Sequence, residues 1–224
     1  MLIAGRNGMA VKFPVTAKNY VQDGLIAMWD GIENAGWGVH DENATVWKDL
    51  IGDCDLTKYG NPEILYNGVN FSGNSCYYKW HSFGKVGQFD ATVSINTKES
   101  TSYSVVSWLP GTYGYGYVCS NYGKQLALTI ENIGDNHFTG KTRGSFSCSI
   151  IGRLTQYYNG NLYATTTREK SQLDTKSMCI GAQNYSLMRP FFGTVYNIRL
   201  YNRALTAAEV AANYAVDKIR FSLP

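Results

Sequence analysis

Paired carboxylates are the first chemistry to look for in this chain, which has 17 Asp and Glu residues. A retaining glycosidase needs two carboxyl groups about 5 Å apart, a spacing that alternate residues of one strand provide. Asp53 and Asp55 have that spacing in sequence, but they lie in a turn-like segment. Glu131 follows an apolar run and has no acidic neighbour before Asp135. Because no predicted strand carries two carboxylates on one face, we do not expect an enzyme.

The three histidines, His40, His81 and His137, are far apart and lie in no recognisable nucleophile or metal motif. A Ser-His-Asp site is defined by geometry in space, so the spacing alone leaves such a site open. Surface or loop positions are the simpler interpretation of these histidines. The chain also has neither a phosphate-binding glycine loop nor a dinucleotide-binding fingerprint.

Aromatic side chains form 14% of the sequence, and several stand beside glycines. Residues 108–117, WLPGTYGYGY, place flat rings on a backbone that a ligand can approach closely. Such rings stack on sugars or on protein side chains. The same pattern fits a strand whose rings pack on its neighbours, so both interpretations stay open. Trp29 and Trp47 lie in short apolar stretches and are predicted core residues. The candidate ligand-binding residues are Trp37, Trp80, Trp108, Tyr113, Tyr115 and Tyr117.

The charge balance excludes several classes of protein. Lys and Arg number 20 and Asp and Glu 17, a net charge of +3, which argues against nucleic-acid binding. The 17% of charged and 44% of hydrophobic residues argue against disorder. No apolar run is long enough to span a bilayer, and no secretion leader is recognisable at the start. We therefore expect folding in a reducing cytoplasm, unless a leader has been trimmed.

The five cysteines are widely spaced and contain no C-x-x-C pair, which argues against a zinc site. Their odd number cannot close fully into disulfides. Cys148 and Cys179 lie in apolar alternation and are predicted to be small buried hydrophobes. A single disulfide is the alternative.

Short strands separated by turn signals predict an antiparallel two-sheet sandwich of about ten to twelve strands. Residues 125–130 (QLALTI) are predicted to be a half-buried strand, and residues 52–60 a turn region. Asn159-Gly160 between two such strands is the strongest hairpin signal, because both residues of a type I′ turn need positive φ. Thr206 and Glu209 form a capping box that predicts one helix near the C-terminus. We expect an arm or edge segment at residues 1–19 and one domain at residues 20–224.

Several of these segments resemble, in the same order, laminin-G-like domains of the concanavalin A-like lectin/glucanase superfamily. They are residues 24–30 (GLIAMWD), 47–53 (WKDLIGD), 70–73 (NFSG), 158–162 (YNGNL), 179–181 (CIG) and 192–210 (FGTVYNIRLYNRALTAAEV). The acidic turn departs from the family pattern, with Ile51 in place of Ser and Asp53 in place of Asn. The resemblance implies an all-β jelly roll of two antiparallel sheets, with one short C-terminal helix.

The same resemblance implies a structural calcium ion, which these domains often hold at the sheet rim. The ligands implied are Asp49, Asp53 and Asp55, which match the acidic turn, and Asp30, which follows the opening strand. Turn formation and capping by Asp are the alternative.

The implied function is a non-catalytic recognition or adhesion module that binds a glycan or a host-surface component. Laminin-G-like domains occur in bacteriophage virions, an origin that would reconcile an adhesin fold with cytosolic folding. Fold alone does not decide function, and two alternatives stay open. One is a structural virion or assembly component that self-associates, and the other is a glycosidase with an unrecognised carboxylate pair.

Overall fold

A computed structural model describes the backbone over most of the chain and side chains over about half of it. Backbone is described for residues 3–4, 10–11, 14–73, 75–79, 90–97, 106–109, 118–122, 125–130, 134–138, 143–149, 153–169, 177–182 and 190–224. Side chains are described for residues 14–73, 75–77, 143–147, 155–165, 178–182 and 190–224.

The described residues form 18 strands, a short 3-10 helix and one α-helix. The strands are β1 (Ile3–Ala4), β2 (Ala10–Val11), β3 (Leu25–Asp30), β4 (Val46–Trp47), β5 (Leu56–Tyr59), β6 (Glu63–Leu65), β7 (Gly68–Ser72), β8 (Cys76–Lys79), β9 (Asp90–Thr97), β10 (Val106–Leu109), β11 (Val118–Tyr122), β12 (Gln125–Ile130), β13 (Gly134–Phe138), β14 (Arg143–Ser149), β15 (Arg153–Tyr158), β16 (Asn161–Glu169), β17 (Ser177–Ile180) and β18 (Phe192–Tyr201). The 3-10 helix is Ala17–Asn19, and α1 is Ala207–Phe221.

Two eight-stranded antiparallel sheets contain all strands except the β1–β2 pair. The first sheet has the order β13-β12-β11-β10-β17-β8-β5-β4. The second has the order β16-β15-β14-β9-β18-β7-β6, and β3 also pairs with β18. The predicted all-β class, with antiparallel sheets and one C-terminal helix, is confirmed.

Strand β18 is the centre of the second sheet. Along its length it pairs with β9, while its first half pairs with β7 and its second half with β3. Ile198 and Leu200 are buried, and so are Asn197, Arg199 and Tyr201 on the alternate face, which α1 covers. Both faces of this part of the strand are therefore buried, and the face under α1 carries the polar side chains of Asn197 and Arg199.

Local signals predicted several elements with their correct bounds or nearly so. At the tip of the β15–β16 hairpin, Asn159 has φ 48° and Gly160 has φ 75°, as the type I′ prediction requires. Strand β12 occupies the six residues predicted for it. Trp29 and Trp47 are 0% and 1% exposed, which confirms them as core residues.

The strand count and some segments differ from the prediction. Residues 52–60 were expected to be a turn region, yet Leu56–Tyr59 is strand β5, paired with β4 and β8. Strands β6, β11 and β13 were also missed. Short strands have weak periodicity of their own and are held in place by their partners, a tertiary effect that local patterns do not contain.

The segment before β3 is partly built into the core. Thr16 caps the 3-10 helix, and Ala17 and Tyr20 are 0% and 2% exposed. Ala17 packs in a cluster that also contains Val210 of α1. The division into an arm at residues 1–19 and a domain at residues 20–224 stays a prediction.

Two buried thiols lie side by side between the first-sheet strands β8 and β17. Cys76 and Cys179 are 0% and 3% exposed, and they belong to one small cluster with Ala182. Burial, followed by the contact with Cys76, raises the pKa of Cys179, so its thiol stays neutral. The prediction of a buried hydrophobe is confirmed for Cys179; the side chain of Cys148 lies outside the described residues.

Helix α1 begins at the predicted capping box. The Glu209 N–H donates to Thr206 Oγ1 at 3.3 Å, and the Thr206 N–H donates to Glu209 Oε2 at 2.8 Å. The Arg203 guanidinium forms a bidentate ion pair with the same carboxylate, with N–O distances of 3.0 and 2.6 Å. These donors all favour the ionised form of Glu209, so the box is strengthened by charge.

The pKa of Glu209 should therefore be far below normal. The hydrogen bond from Arg203, followed by that from the Thr206 amide, lowers the pKa of this carboxyl to about 2. A carboxyl whose pKa is lower in the folded than in the unfolded state stabilises the fold at neutral pH. This contribution is lost as the pH falls through the folded value. An NMR titration that resolves the Glu209 carboxyl should give this low pKa in the unmodified protein and a higher pKa in Arg203→Ala. An equal pKa in both proteins would contradict the role of Arg203.

A buried ion pair attaches α1 to β18. Arg199 and Asp217 are both 0% exposed, and the guanidinium contacts the carboxylate through two bonds of 2.6 and 2.8 Å. Tyr20 donates a third bond to Asp217 at 2.8 Å, and its ring lies 4.0 Å from the Arg199 guanidinium carbon. Burial alone would raise the pKa of Asp217, but the charge and hydrogen bonds of Arg199 hold it below its usual range.

Breaking this pair on one side should be costly. Asp217→Asn leaves the Arg199 charge buried without a counter-charge, and we expect the free energy of unfolding to fall by about 3–5 kcal/mol. Removing both charges, in Arg199→Met with Asp217→Leu, should cost less than the single change. Lys48→Ala, at the exposed Lys48–Asp55 pair, is the control and should cost less than about 1 kcal/mol. Urea unfolding measures all four proteins, and similar losses in Asp217→Asn and Lys48→Ala would refute the role of burial.

Candidate recognition site

The connection from β3 to β4, residues 31–45, presents one of the predicted ligand-binding residues, Trp37. We call it the Trp37 loop. Within it the Val39 N–H donates to the Gly36 carbonyl at 2.9 Å. The side chain of Asn34, 0% exposed, accepts from the Asp41 N–H at 3.0 Å and donates to the Asp41 carbonyl at 2.8 Å. Two sets of hydrogen bonds therefore close the loop on itself, one between backbone groups and one through the Asn34 side chain.

Glu33 anchors the Trp37 loop to the rest of the protein. One carboxylate oxygen accepts from the Gly38 N–H at 3.0 Å. The other accepts from the Ala17 N–H at 3.0 Å and from the Arg220 guanidinium at 3.1 Å. Because Arg220 belongs to α1 and Ala17 to the 3-10 helix, the loop is tied to two separate elements.

The anchored loop exposes an aromatic ring and an aliphatic side chain. Trp37 is 38% exposed and Val39 is 50% exposed. The ammonium of Lys18 lies 5.3 Å from the centroid of the Trp37 ring, which is cation–π distance. The arrangement offers a ligand a partly exposed ring with a positive charge held over it.

A second exposed aromatic lies on the neighbouring turn. Tyr66, between β6 and β7, is 77% exposed. Its turn touches the start of the Trp37 loop, because a Cβ placed on Gly31 would stand 2.8 Å from the backbone nitrogen of Gly68. Sequence analysis missed Tyr66; its position in a hairpin turn, next to Asn67 and Gly68, is the signal that could have found it.

The acidic turn brings two of the predicted metal ligands together. The Asp49 N–H donates to the Asp55 carboxylate at 3.0 Å, and Lys48 pairs with the same carboxylate. Asp49 is 9% exposed, and its carboxylate accepts backbone N–H groups at 3.0 to 3.2 Å. Those N–H donors belong to Met28, Ile51 and Cys54. Asp53 is exposed on the same turn.

Asp30 lies in a different environment from the acidic turn. Its carboxylate is fully buried, pairs with Arg220 at 2.7 Å and accepts from Asn197 at 2.8 Å. Burial raises the pKa of Asp30, and the charge of Arg220 opposes this rise. Among the described side chains, no group of three or more His, Cys, Asp or Glu is arranged to hold a metal ion. The carboxylates of Asp30, Asp49 and Asp55 accept from N–H and cationic donors of the protein itself, and the calcium site stays a prediction.

The remaining candidates have little or no description. Trp80, Tyr113, Tyr115 and Tyr117 lie outside the described residues, and for Trp108 only the backbone of β10 is described. Of the histidines, His40 is exposed on the Trp37 loop, with Nδ1 3.0 Å from the Ile32 carbonyl oxygen.

In the part of the chain that the structure describes, no helix has the length and apolar character needed to cross a membrane.

A family comparison agrees with the architecture. The family described as the concanavalin A-like lectin/glucanases superfamily, of the laminin G type, matches residues 136–211, from β13 to the first turns of α1. The protein has a concanavalin A-like fold. Comparison with curated protein sequences gives no match.

Solved structures of several proteins share this fold. A Trypanosoma rangeli sialidase in complex with 2,3-difluorosialic acid superposes with a TM-score of 0.67 at 16% identity, over 88% of this chain. The match covers only 34% of the sialidase chain, so this chain spans about a third of that enzyme.

Two further structures were each solved with a bound partner. Domain 4 of AbnA, an extracellular arabinanase of Geobacillus stearothermophilus, was solved with arabinotriose; it has a TM-score of 0.59 at 15% identity, over 85% of this chain and 98% of that one. The binding domain of botulinum neurotoxin DC was solved in complex with rat synaptotagmin II. It has a TM-score of 0.62 at 12% identity, over 88% of this chain and 52% of that one.

The anchoring role of Glu33 can be measured at a single amide. Glu33→Ala removes the acceptor of the Gly38 N–H, and hydrogen exchange there should accelerate about tenfold or more, as expected for a bond to a charged group. The amide of Trp29 in β3 should keep its protection, which shows that the fold is retained. Glu42→Ala, at an exposed carboxyl of the same loop, is the control. Unchanged exchange at Gly38 in Glu33→Ala would show that the loop holds its shape without this anchor.

Proposed function

We propose that the protein is a non-catalytic recognition module that binds a glycan. The binding surface is formed by the Trp37 loop and the neighbouring β6–β7 turn, and we call this surface the rim. The observation that carries this proposal is that Trp37 is exposed while its loop is anchored by Glu33 to α1 and to the 3-10 helix. An exposed tryptophan on a restrained loop is suited to binding, because little conformational freedom is lost when a ligand stacks on it.

The chemistry of the rim fits a sugar ligand. A sugar offers C–H faces that pack on aromatic rings and hydroxyls that bond to polar groups. Trp37 supplies the ring and Lys18 a donor beside it, while the neighbouring turn adds Tyr66. The Glu33 carboxylate is committed to N–H and guanidinium donors, which supports an anchoring role for this group rather than an acid–base role.

Proteins with the same fold support the class of ligand. The AbnA domain was solved with arabinotriose and the T. rangeli sialidase with a sialic acid derivative. The neurotoxin binding domain was solved with a protein, synaptotagmin II, so a protein is the second kind of ligand that this fold supports. We extend the proposal to attachment at a bacterial surface as part of a bacteriophage virion, for which the support is the sequence resemblance. Buried thiols at Cys76 and Cys179 fit folding in a reducing compartment.

A glycan array probed with the full chain tests the proposal. We expect saturable binding to at least one glycan class, and Trp37→Ala should weaken it about tenfold or more, the usual cost of removing an aromatic anchor. Tyr59→Ala, at an exposed aromatic of β5 with 44% exposure, is the matched control and should bind as the unmodified protein does.

The same array, repeated with calcium and with EDTA, tests the calcium site proposed from the resemblance. Binding lost in EDTA supports an ion that braces the acidic turn, whereas equal binding in both buffers removes the metal from the proposal. If no glycan binds in either buffer, glycan recognition is wrong and sedimentation of the full chain should be examined for self-association. Hydrolysis of a glycan that binds would contradict the non-catalytic role.

A further inference from the structure

Two cysteine thiols that contact each other lie on neighbouring strands of the first sheet. In the antiparallel pairing of β8 with β17, Cys179 is opposite Tyr78. Cys76 lies two residues before Tyr78, and alternate residues of a strand point to the same face of a sheet. The two cysteines are therefore diagonal neighbours on one face, and their thiols are within hydrogen-bonding distance of each other.

Tight packing holds this thiol pair in place and shields it from solvent. Cys76 and Cys179 are 0% and 3% exposed. Gly181, two residues beyond Cys179, has a φ of 92°, and a Cβ placed on it would stand 2.3 Å from the ring of Phe71 in β7. The Gly181 carbonyl also accepts from the Phe191 N–H at 2.7 Å. Because the chain after β17 is packed in this way, reaction of the thiols with a solute requires local opening.

The described surroundings of the pair favour a disulfide over a metal site. Structural zinc sites use four protein ligands. Among the described side chains, no group of three or more His, Cys, Asp or Glu is arranged to hold a metal ion. The remaining member of the cluster is Ala182, which is apolar. Two thiols that already touch across neighbouring strands have the arrangement from which a disulfide forms.

We propose that Cys76 and Cys179 form a cross-strand disulfide when the folded protein moves from a reducing compartment to an oxidising one. The thiols stay reduced during folding in a cytoplasm, where small thiols keep cysteines reduced. In an oxidising environment the folded chain meets low-molecular-weight disulfides, and the pair is oxidised. This proposal concerns β8 and β17 and does not depend on glycan binding by the rim.

The oxidant is a low-molecular-weight disulfide such as oxidised glutathione. One protein thiol loses its proton, and its thiolate attacks the small disulfide; the small S–S bond breaks and one small thiolate leaves. The second protein thiol then loses its proton, and its thiolate attacks the mixed disulfide. The protein S–S bond forms and a second small thiolate leaves. The two leaving thiolates take up the two protons, so the protein pair loses two electrons and the small disulfide gains them.

The cross-link should stabilise the fold. It closes a loop of about 100 residues between β8 and β17, which restricts the unfolded chain more than the folded one. The thermal midpoint of the oxidised protein should therefore lie about 5–15 °C above that of the reduced protein.

Thiol counting on the full chain tests the proposal. The folded, reduced protein is incubated well below its thermal midpoint in glutathione buffers with an increasing oxidised fraction. The reaction is stopped with acid, and the thiols that remain are alkylated in the unfolded chain. Of the five cysteines, Cys76 and Cys179 should lose their alkylation together, and peptide mapping should find them linked. Dithiothreitol should restore both thiols.

Matched variants separate this disulfide from general oxidation. Cys76→Ala and Cys179→Ala should each show no intramolecular link at the remaining cysteine of the pair and no rise of the thermal midpoint. Cys54→Ala, at a buried cysteine outside this cluster, should form the link as the unmodified protein does. The thermal midpoint of each variant under reducing conditions shows whether its fold is retained.

The proposal is wrong if both cysteines remain alkylated in the most oxidising buffer, or if peptide mapping links either of them to a different cysteine. A cross-linked protein with a lower thermal midpoint than the reduced protein would refute the stabilising role. Trp37→Ala should form the disulfide normally even where it abolishes binding on the array, so the two proposals succeed or fail separately.

Discussion

Two fully buried charges, the guanidinium of Arg199 and the carboxylate of Asp217, meet between the central strand β18 and the helix that covers it. Charges removed from water must be matched by opposite charges and hydrogen-bond donors, and the observed placement of α1 provides both. The two-pronged contact fixes both the register and the rotation of the helix on the sheet. Tyr20 adds its hydroxyl to the same carboxylate and so holds the segment before β3 against the helix.

The Trp37 loop and the contact between α1 and the β15–β16 hairpin both depend on this placement of α1. One turn beyond Asp217 the helix presents Arg220, which reaches Asp30 and Glu33 and so restrains the Trp37 loop. The exposed side of the same helix presents Tyr214 and Lys218 to the β15–β16 hairpin. The buried polar network thus has a functional consequence, since it positions an exposed ring on one side and an exposed cation on another.

The sequence predicted those features whose causes are local. The Asn159-Gly160 turn, the capping box at Thr206 and the alternation of β12 each depend on neighbouring residues, and each is confirmed. Strand β5 was missed because its pairing with β8 is what makes it a strand. Asp49 shows the same limit at a site: its carboxylate accepts the backbone N–H groups of Met28 and Cys54, contacts that the sequence pattern of the acidic turn did not predict. The groove between the β15–β16 hairpin and α1 joins residues 158–163 to residues 214–218, a contact that no local pattern contains.

The position of β18 in the sequence has a consequence for biosynthesis. Strands β3, β7 and β9 all precede their common neighbour, which is residues 192–201. On the ribosome these strands therefore emerge before the strand that joins them, and their hydrogen-bonding edges stay open in the meantime. Long-range pairing of this kind is slow, so closure of the second sheet comes late. While this interval lasts, the nascent chain can pair with other copies or be protected by a chaperone, and the speed of synthesis through the C-terminal third affects the yield of folded protein.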